Sequence, residues 1–323
     1  MDRFTKHILE NIRERELVKK GDTVTVGFSG GADSVCLLSV LWDLAAVLGI
    51  TVKAVHVNHN LRGEEALRDE KFCEMFCKER EIPFKAVSVD VPAFQKERGL
   101  SLEEAARILR YEVLEKEAGE GPVATAHHAD DQAETVLLNL LRGTGLLGLR
   151  GMESKRGPVI RPLLPFSKDE ILSYIDSHGL SFVTDSTNLE NDAARNRIRN
   201  VILPELKKIN AEAPEHILLA GEKAGEADAF LRGLAGEKAS AYEVNGGVLV
   251  IPKKNLAKEP RILKRYVIIE ALKRIPVPLK DWGEVHIGAI EKAFSSGNGY
   301  HADLPGKVTV ESTKNTVVIT KGE

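Results

Sequence analysis

The sequence predicts an α/β protein, a doubly wound parallel sheet followed by a smaller α+β domain. Two observations carry this. Between residues 23 and 141 short β-branched runs alternate with helical segments, and the residues richest in chemistry fall where the strands end. From residue 213 the texture changes to one long helix with Ala and Leu on a face, then shorter helices and a hairpin. The 323 residues suffice for two domains, expected at 1–213 and 214–323.

Phe4, Ile8 and Ile12 space an amphipathic first helix. Thr23 to Val26 read as a buried strand, Ser29-Gly30-Gly31 as a turn, and Asp33-Ser34 as the opening of an apolar helix that continues through Leu41 and Leu44. Residues 51–58 form a second strand, 59–63 a connector, 64–80 a helix and 84–89 a third strand. Ser101 with Glu104 reads as a capping box for a helix carrying Ala105, Leu109 and Val113. Residues 123–126 are the fourth strand, ending in His127-His128, with a helix over 130–141. The Gly-rich stretch 142–152 reads as too flexible for a regular element, and 160–164 as a turn and linker. Ser167 and Glu170 cap a helix that stops at Gly179. Asp185 to Asn188 are loop, and the run from Arg195 is helical until just before Pro204. The second domain is expected to hold a connecting helix (214–241), a strand near 248–251, a basic helix (260–274), a helix (281–294) and a hairpin pairing 307–312 with 317–320.

Composition excludes several classes. No apolar run approaches membrane-spanning length, and the charged N-terminus lacks a signal-peptide core, so a cytoplasmic protein with no membrane partner is expected. Three Cys cannot build a disulfide framework; Cys73 and Cys77 lie one helical turn apart beside Phe72 and Phe76, which favours core packing. A net charge of −3 argues against a uniformly basic nucleic-acid binder. Charge is patchy, however. Five basic residues face one acid between Arg195 and Lys208, and eight face two between Lys253 and Arg274. Each patch is either a phosphate-binding surface or a solvated helix face.

Strand, Gly-rich turn and helix start make a backbone suited to an anion, because first-turn N–H groups have no partner and the helix dipole favours negative charge. The turn is not a Walker loop, which needs a Lys. Residues 27–31 match the G-x-S-x-G nucleophile elbow, but only about twenty residues precede it, too few for the strand–loop that completes that oxyanion hole. A Gly-rich turn with no ligand is the plain alternative. The remaining reading is a pyrophosphate loop, S-G-G-x-D-S, in which backbone and Ser hydroxyls hold the phosphates of ATP and Asp33 helps hold Mg²⁺. Further along, HHADDQAET (127–135) places Asp131 and Glu134 on one helix face. These acids could serve the helix dipole, or with the two His hold a metal. A binding role for amine and nucleotide is preferred, since so much anionic charge calls for a cation.

Taken in order, SGGADS, HVNHNLRG (56–63), AARILRY (105–111), HHADDQAET, RGTGLLGL, RPLL, DSTN and RNRIRNVILPEL resemble the tRNA(Ile)-lysidine synthetase family of the PP-loop ATP pyrophosphatase superfamily. The match covers roughly residues 23–206, with a looser likeness beyond to the family's tRNA-contacting second domain. Many members carry a further C-terminal domain, for which this chain ends too soon. The resemblance implies a ligase. ATP adenylates O2 of the wobble cytidine of a tRNA(Ile) with a CAU anticodon, releasing pyrophosphate; the ε-amine of free L-lysine then attacks carbon 2 and expels AMP. It implies that Ser29, Gly30, Gly31, Ala32, Asp33 and Ser34 bind pyrophosphate and Mg²⁺, with Asp33 as metal ligand. It also implies that Arg107 offsets phosphate charge, His127 contacts nucleotide or base, Asp131 and Glu134 bind the lysine ammonium groups and accept a proton, and Arg199 steadies the cytidine or adenylate. A homodimer is allowed. Two alternatives stay open: a tRNA thiolase working through Cys, and a non-catalytic nucleotide- or tRNA-binding module.

Overall fold

Residues 1–61, 63–184, 194–277 and 282–322 are described by the computed structural model, in which the chain forms two units, Met1–Lys223 and Ala224–Glu323. Arg62 of the connector, the expected loop at Asp185 to Asn188 and the expected helix start at Asp281 lie outside the described residues.

In the first unit, α1 (Arg3–Glu14) is capped by Asp2, whose carboxylate accepts from Thr5 N at 2.9 Å, and it buries Ile8, Leu9 and Ile12. Then follow β1 (Thr23–Gly27), α2 (Ala32–Leu48), β2 (Thr51–Asn58), α3 (Glu64–Glu79), β3 (Phe84–Ser88), α4 (Val91–Arg98), α5 (Leu102–Ala118), β4 (Val123–Ala124) and α6 (Ala129–Leu141). After them come α7 (Leu146–Leu149), β5 (Lys155–Arg156), β6 (Val159–Ile160), α8 (Lys168–Ser177), α9 (Ala194–Arg197), a π-helical turn (Ile198–Ile202) and α10 (Leu203–Ile209). The strands order as β3-β2-β1-β4-β6-β5, parallel except for the β5 edge. α2 is apolar nearly all round, with Val35, Leu37, Leu38 and Leu41 fully buried, as a helix must be when it lies within the core. Truncating Leu38 to Ala is expected to cost about 2–5 kcal/mol. The chain runs from β1 outward through β2 to β3 and returns to β4 on the other flank of β1. That reversal opens a crevice at the carboxyl ends of β1 and β4, where a doubly wound sheet holds its ligand.

Several local expectations need correction. The expected fourth strand shortens to Val123–Ala124, although Thr125 N still donates to Ile160 O (3.0 Å). Ile160 belongs to a strand, not to a linker; two residues are too few to give a periodic signal. The Gly-rich stretch contains α7, and Gln132 fixes its exit by donating to Arg150 O and Met152 O and accepting from Met152 N. Pro204 does not end a helix. It sits in the first turn of α10, where its missing N–H costs little, after a π-helical turn has shifted the hydrogen-bond register. Ser101 supplies the forward half of its box, accepting from Glu104 N (3.2 Å), whereas Ser167 and Glu170 form the full reciprocal pair.

α11 (Ala213–Ser240) spans both the expected division at 213 and the observed one after Lys223. In the second unit β7 (Glu243–Asn245), β8 (Val248–Pro252), α12 (Lys253–Ala257), α13 (Arg261–Leu272), α14 (Glu284–Ser295), β9 (Tyr300–Leu304), β10 (Val308–Ser312) and β11 (Thr316–Lys321) build an antiparallel sheet ordered β7-β8-β11-β10-β9. The expected hairpin is β10–β11; β7 and β9 extend it at the edges. Alternate residues Leu249, Ile251, Val317, Ile319, Val308 and Val310 pack against Val267, Leu272 and Ile290 of the helices. Asp228, 2% exposed, takes Tyr266 Oη (2.6 Å) and Arg232 Nε (2.7 Å), which ties α11 to α13 within this unit. Among the described residues no helix is long and apolar enough to cross a membrane.

Candidate functional site

The loop after β1 is held from below by β2 and α3. Phe28 N donates to Val55 O (2.9 Å), and Phe28 O accepts from His56 Nδ1 (2.9 Å), which therefore carries the proton. Gly30 has φ +85°, and a Cβ there would stand 2.9 Å from Val183 Cγ2 and 3.1 Å from Cys73 Sγ. Only glycine fits. Val183 N donates to Gly30 O (3.0 Å) and closes the loop from the other side. Ser34 Oγ is buried and donates to Gly31 O (2.9 Å), so Ser29 Oγ is the donor in the 3.1 Å contact between the two hydroxyls. No side chain caps α2, which leaves its first-turn N–H groups for a ligand. Two cavities, of about 460 and about 330 Å³, share Ser29, Gly31 and Asp33 in their walls. The larger reaches Asn58, Phe182 and Lys168; the smaller reaches Val55, Leu114 and His127.

At the end of β4 a network of charges meets this loop. Lys168 Nζ lies 2.5 Å from Asp33 Oδ1, and His128 Nε2 lies 3.7 Å from Asp33 Oδ2 and 3.4 Å from Asp131 Oδ2. Arg199 makes a bidentate pair with Glu134 (2.5 and 2.9 Å) and reaches Asp131 Oδ1 at 2.8 Å. Arg195 adds a contact to Glu134 (3.5 Å) and donates to Thr135 Oγ1 (3.0 Å). Asp130 is held by Lys207 Nζ (2.6 Å) and Lys168 N (3.0 Å). The i, i+3 spacing of Asp131 and Glu134 is what lets one guanidinium span both.

Burial sets the protonation of these groups against their partners. It opposes charge on His128, yet Asp130, Asp131 and Asp33 outweigh it and raise the imidazole's pKa. At His127 burial wins: the pKa falls to about 4 despite Asp131, with Arg161, Arg110 and Arg107 adding to the effect. Thr125 Oγ1 lies 3.0 Å from His127 Nδ1. Burial pushes Glu134, 1% exposed, above the usual carboxylate value against the pull of Arg199. Asp131 and Asp130 are held low in spite of burial, chiefly by the neighbouring His side chains, Arg199 and Lys207. A buried carboxylate with a raised pKa beside a phosphate loop has the character of a proton acceptor.

A PP-loop domain family matches residues 2–206. The tRNA(Ile)-lysidine synthase of Caldanaerobacter subterraneus is 32% identical over 319 residues, covering 97% of this chain and 68% of that protein. The chain belongs to the tRNA(Ile)-lysidine synthase family. The relative from Porphyromonas gingivalis is 43% identical over 232 residues, 70% of this chain and 50% of that protein. The chain thus spans about half to two thirds of the length of these curated relatives. A U34-tRNA thiolase from Methanococcus maripaludis, solved with its [4Fe-4S] cluster, superposes with a TM-score of 0.52 over 68% of this chain and 78% of that one. At 21% identity this is a likeness of fold alone.

Within the family's PP-loop domain, the loop Ser29–Ser34 and His127 line the crevice, and Asp131, Glu134 and Arg199 join it through His128; Arg107 lies exposed on α5 and acts on His127 through its charge. The basic run from Arg195 divides: Arg195, Arg199 and Lys207 are counter-charges to Glu134, Asp131 and Asp130, while Arg197 is exposed and Lys208 makes an exposed pair with Glu205. The cation that the α6 acids demand is thus supplied by the chain itself. Sequence reasoning missed Lys168, whose signal was legible: a Lys as the first residue of a helix opposes the dipole and needs a separate reason, which Asp33 provides. Thiol chemistry finds no support. Cys36, Cys73 and Cys77 are buried, and burial pushes all three thiols up, that of Cys77 to about 12.

Proposed function

We propose that the chain catalyses ATP-dependent ligation of free L-lysine to carbon 2 of the wobble cytidine of a tRNA(Ile) with a CAU anticodon, giving lysidine, AMP and pyrophosphate. The observation that carries this reading is the chain of charged contacts that runs from a backbone-built anion loop through Asp33 and His128 to Asp131, and on through Arg199 to the buried Glu134. A hydrolase or a simple nucleotide sensor has no use for the second half. The loop N–H groups and Ser29 hold the phosphates of ATP, while Val55, Val57 and Leu114 offer apolar faces to a base. The cytidine must leave its stack to reach the crevice. Its O2 attacks the α-phosphate, pyrophosphate departs, and the amine of lysine then displaces AMP at carbon 2. That amine must lose a proton before attack, and Glu134 is the acceptor; the ammonium group first competes with Arg199 for Glu134 and Asp131.

Asp33 fits a Mg²⁺ site of the kind completed by substrate phosphates, since one carboxylate and a neighbouring hydroxyl are what such sites take from protein. The ion would neutralise charge on the leaving pyrophosphate. Among the described residues no group of three or more His, Cys, Asp or Glu forms a ready-made cage. The test is incubation with labelled lysine, ATP and total tRNA. ATP-dependent label in one isoleucine tRNA is the expected result; ATP binding without pyrophosphate release would leave a sensor instead.

A further inference from the structure

The second unit holds a cavity of about 790 Å³ bordered by α12, α13 and α14, within the size range of ligand pockets. Its floor is apolar. Leu256 and Ile268 are each 1% exposed, and Phe294 joins them from α14. Its rim is basic, with Lys253, Lys254, Arg261, Lys264 and Lys292 against a single carboxylate, Glu291. Most of this charge is uncommitted. Among the described residues Lys254 and Lys292 have no ion-pair partner, Lys264 reaches only Ala257 O at 3.4 Å, and Arg261, 82% exposed, stays 3.8 Å from Glu291. Arg265 differs, being taken up by Glu284 (2.6 Å) and Glu291 (3.7 Å), so the expected basic helix is only partly free.

Floor and rim make different demands on an occupant. A free anion or a phosphate backbone needs the cations but not an apolar hollow; an apolar side chain needs the hollow but not the cations. A nucleotide needs both, a base face against aliphatic and aromatic groups and phosphates within reach of Lys and Arg. We propose that this cavity is a nucleotide subsite that takes one unstacked nucleotide of an RNA, the base over Leu256, Ile268 and Phe294 and the phosphates between Lys254, Arg261 and Lys264. That the occupant is RNA rests on the function proposed above.

Gly288 of α14 lies in the wall, and a Cβ built on it meets nothing within 4 Å, so a side chain can be introduced at the wall. Gly288→Phe in the full chain fills the hollow and leaves every charge in place. Binding of a tRNA(Ile) transcript with a CAU anticodon, followed by fluorescence anisotropy, is expected to weaken tenfold or more, while ATP affinity and the thermal midpoint hold; Gly288→Ala should bind as the unmodified chain does. A transcript carrying 4-thiouridine should cross-link to a peptide of α12, α13 or α14 in the unmodified protein, which decides the matter even where the Phe variant folds poorly. Unchanged affinity in folded Gly288→Phe, or no cross-link to those helices, overturns the subsite and leaves a phosphate track. Gly288-dependent binding to anionic phospholipid vesicles with RNA binding intact overturns it in favour of a headgroup. Lysine transfer is measured on the same preparations. Gly288-dependent RNA binding without lysine transfer removes the proposed reaction and keeps the subsite; lysine transfer with Gly288-independent binding does the reverse.

Discussion

The loop at Ser29–Ser34 and the carboxylate cluster at the start of α6 meet at Asp33, yet they are built by opposite means. The loop is backbone geometry: a glycine at φ +85°, an uncapped helix, and a carbonyl pinned by His56. Its residues are contiguous, and the distant groups that hold it, Val55, His56 and Val183, bond to its backbone. The cluster is side-chain charge drawn from α6, α8, α9, the π-helical turn and α10, where each acid is stabilised by a base far away in sequence. The loop should therefore tolerate changes of charge partner but not of backbone shape. The cluster should behave in the opposite way.

The largest effect is expected where the two regions join. Asp33→Asn leaves the loop backbone alone, and at 31% side-chain exposure the residue makes no great contribution to the fold. It removes the carboxylate that faces Lys168 and His128 and that would, on the proposed reading, hold Mg²⁺ against the leaving pyrophosphate. Turnover, read as tRNA- and lysine-dependent pyrophosphate release, should fall about a thousandfold or more, since electrostatic stabilisation of a leaving group is worth several kcal/mol. Near-normal turnover would sink the assignment of the loop to ATP.

Glu134→Gln should divide the reaction in two. Adenylation of the cytidine needs no amine, so adenylated tRNA should still form. Lysine transfer should drop on the order of a hundredfold, the usual scale of a lost general base, and recover in part at higher pH, where more lysine is already neutral. Loss of adenylation with lysine absent would instead place Glu134 in the nucleotide site.

Legibility followed the same division. The loop itself could be picked out from a dozen consecutive letters, because strand, turn and helix start are local. Asp131 and Glu134 could be paired by spacing. Their real partners could not. Nothing in the sequence couples Arg199 to position 134 or Lys168 to position 33 until the fold places β4 beside β1. The π-helical turn escaped for a related reason: Pro204 looked like a terminator, and only the shifted register shows that its missing N–H falls in a first turn. In the second unit the hairpin was visible by alternation, whereas the cavity depends on three helices whose contacts are tertiary.

A stability measurement tests the backbone side of the comparison. Gly30→Ala imposes a positive φ on a residue with a Cβ and drives that atom against Val183, Cys73 and Phe72. The cost should be about 3 kcal/mol, seen as a lower denaturation midpoint, with ATP affinity lost in the fraction that stays folded. Gly288→Ala, made in open space within a helix, should be neutral or slightly stabilising. Equal behaviour of the two variants would mean that the loop is not shaped by its glycine.

The smallest effect belongs to the two adjacent histidines, which titrate in opposite senses. The pKa of His128 is raised above its ordinary value near 6.5 by the surrounding carboxylates, so its contribution to stability is full below about pH 6.5 and is lost as pH rises through the folded value. His127 is lowered to about 4 by burial. Between about pH 6.5 and 4 the unfolded chain takes up a proton there that the folded chain refuses, so stability falls as pH falls through that window. Together they place a local optimum near pH 6.5. His127→Asn should flatten the acid side and His128→Asn the alkaline side of the stability profile, read as thermal midpoint against pH. The lowered pKa values of Asp130 and Asp131 act at more acidic pH. Two variants that shift the profile on the same side would show that the two imidazoles are not displaced in opposite directions, and burial and the neighbouring carboxylates would then not divide them.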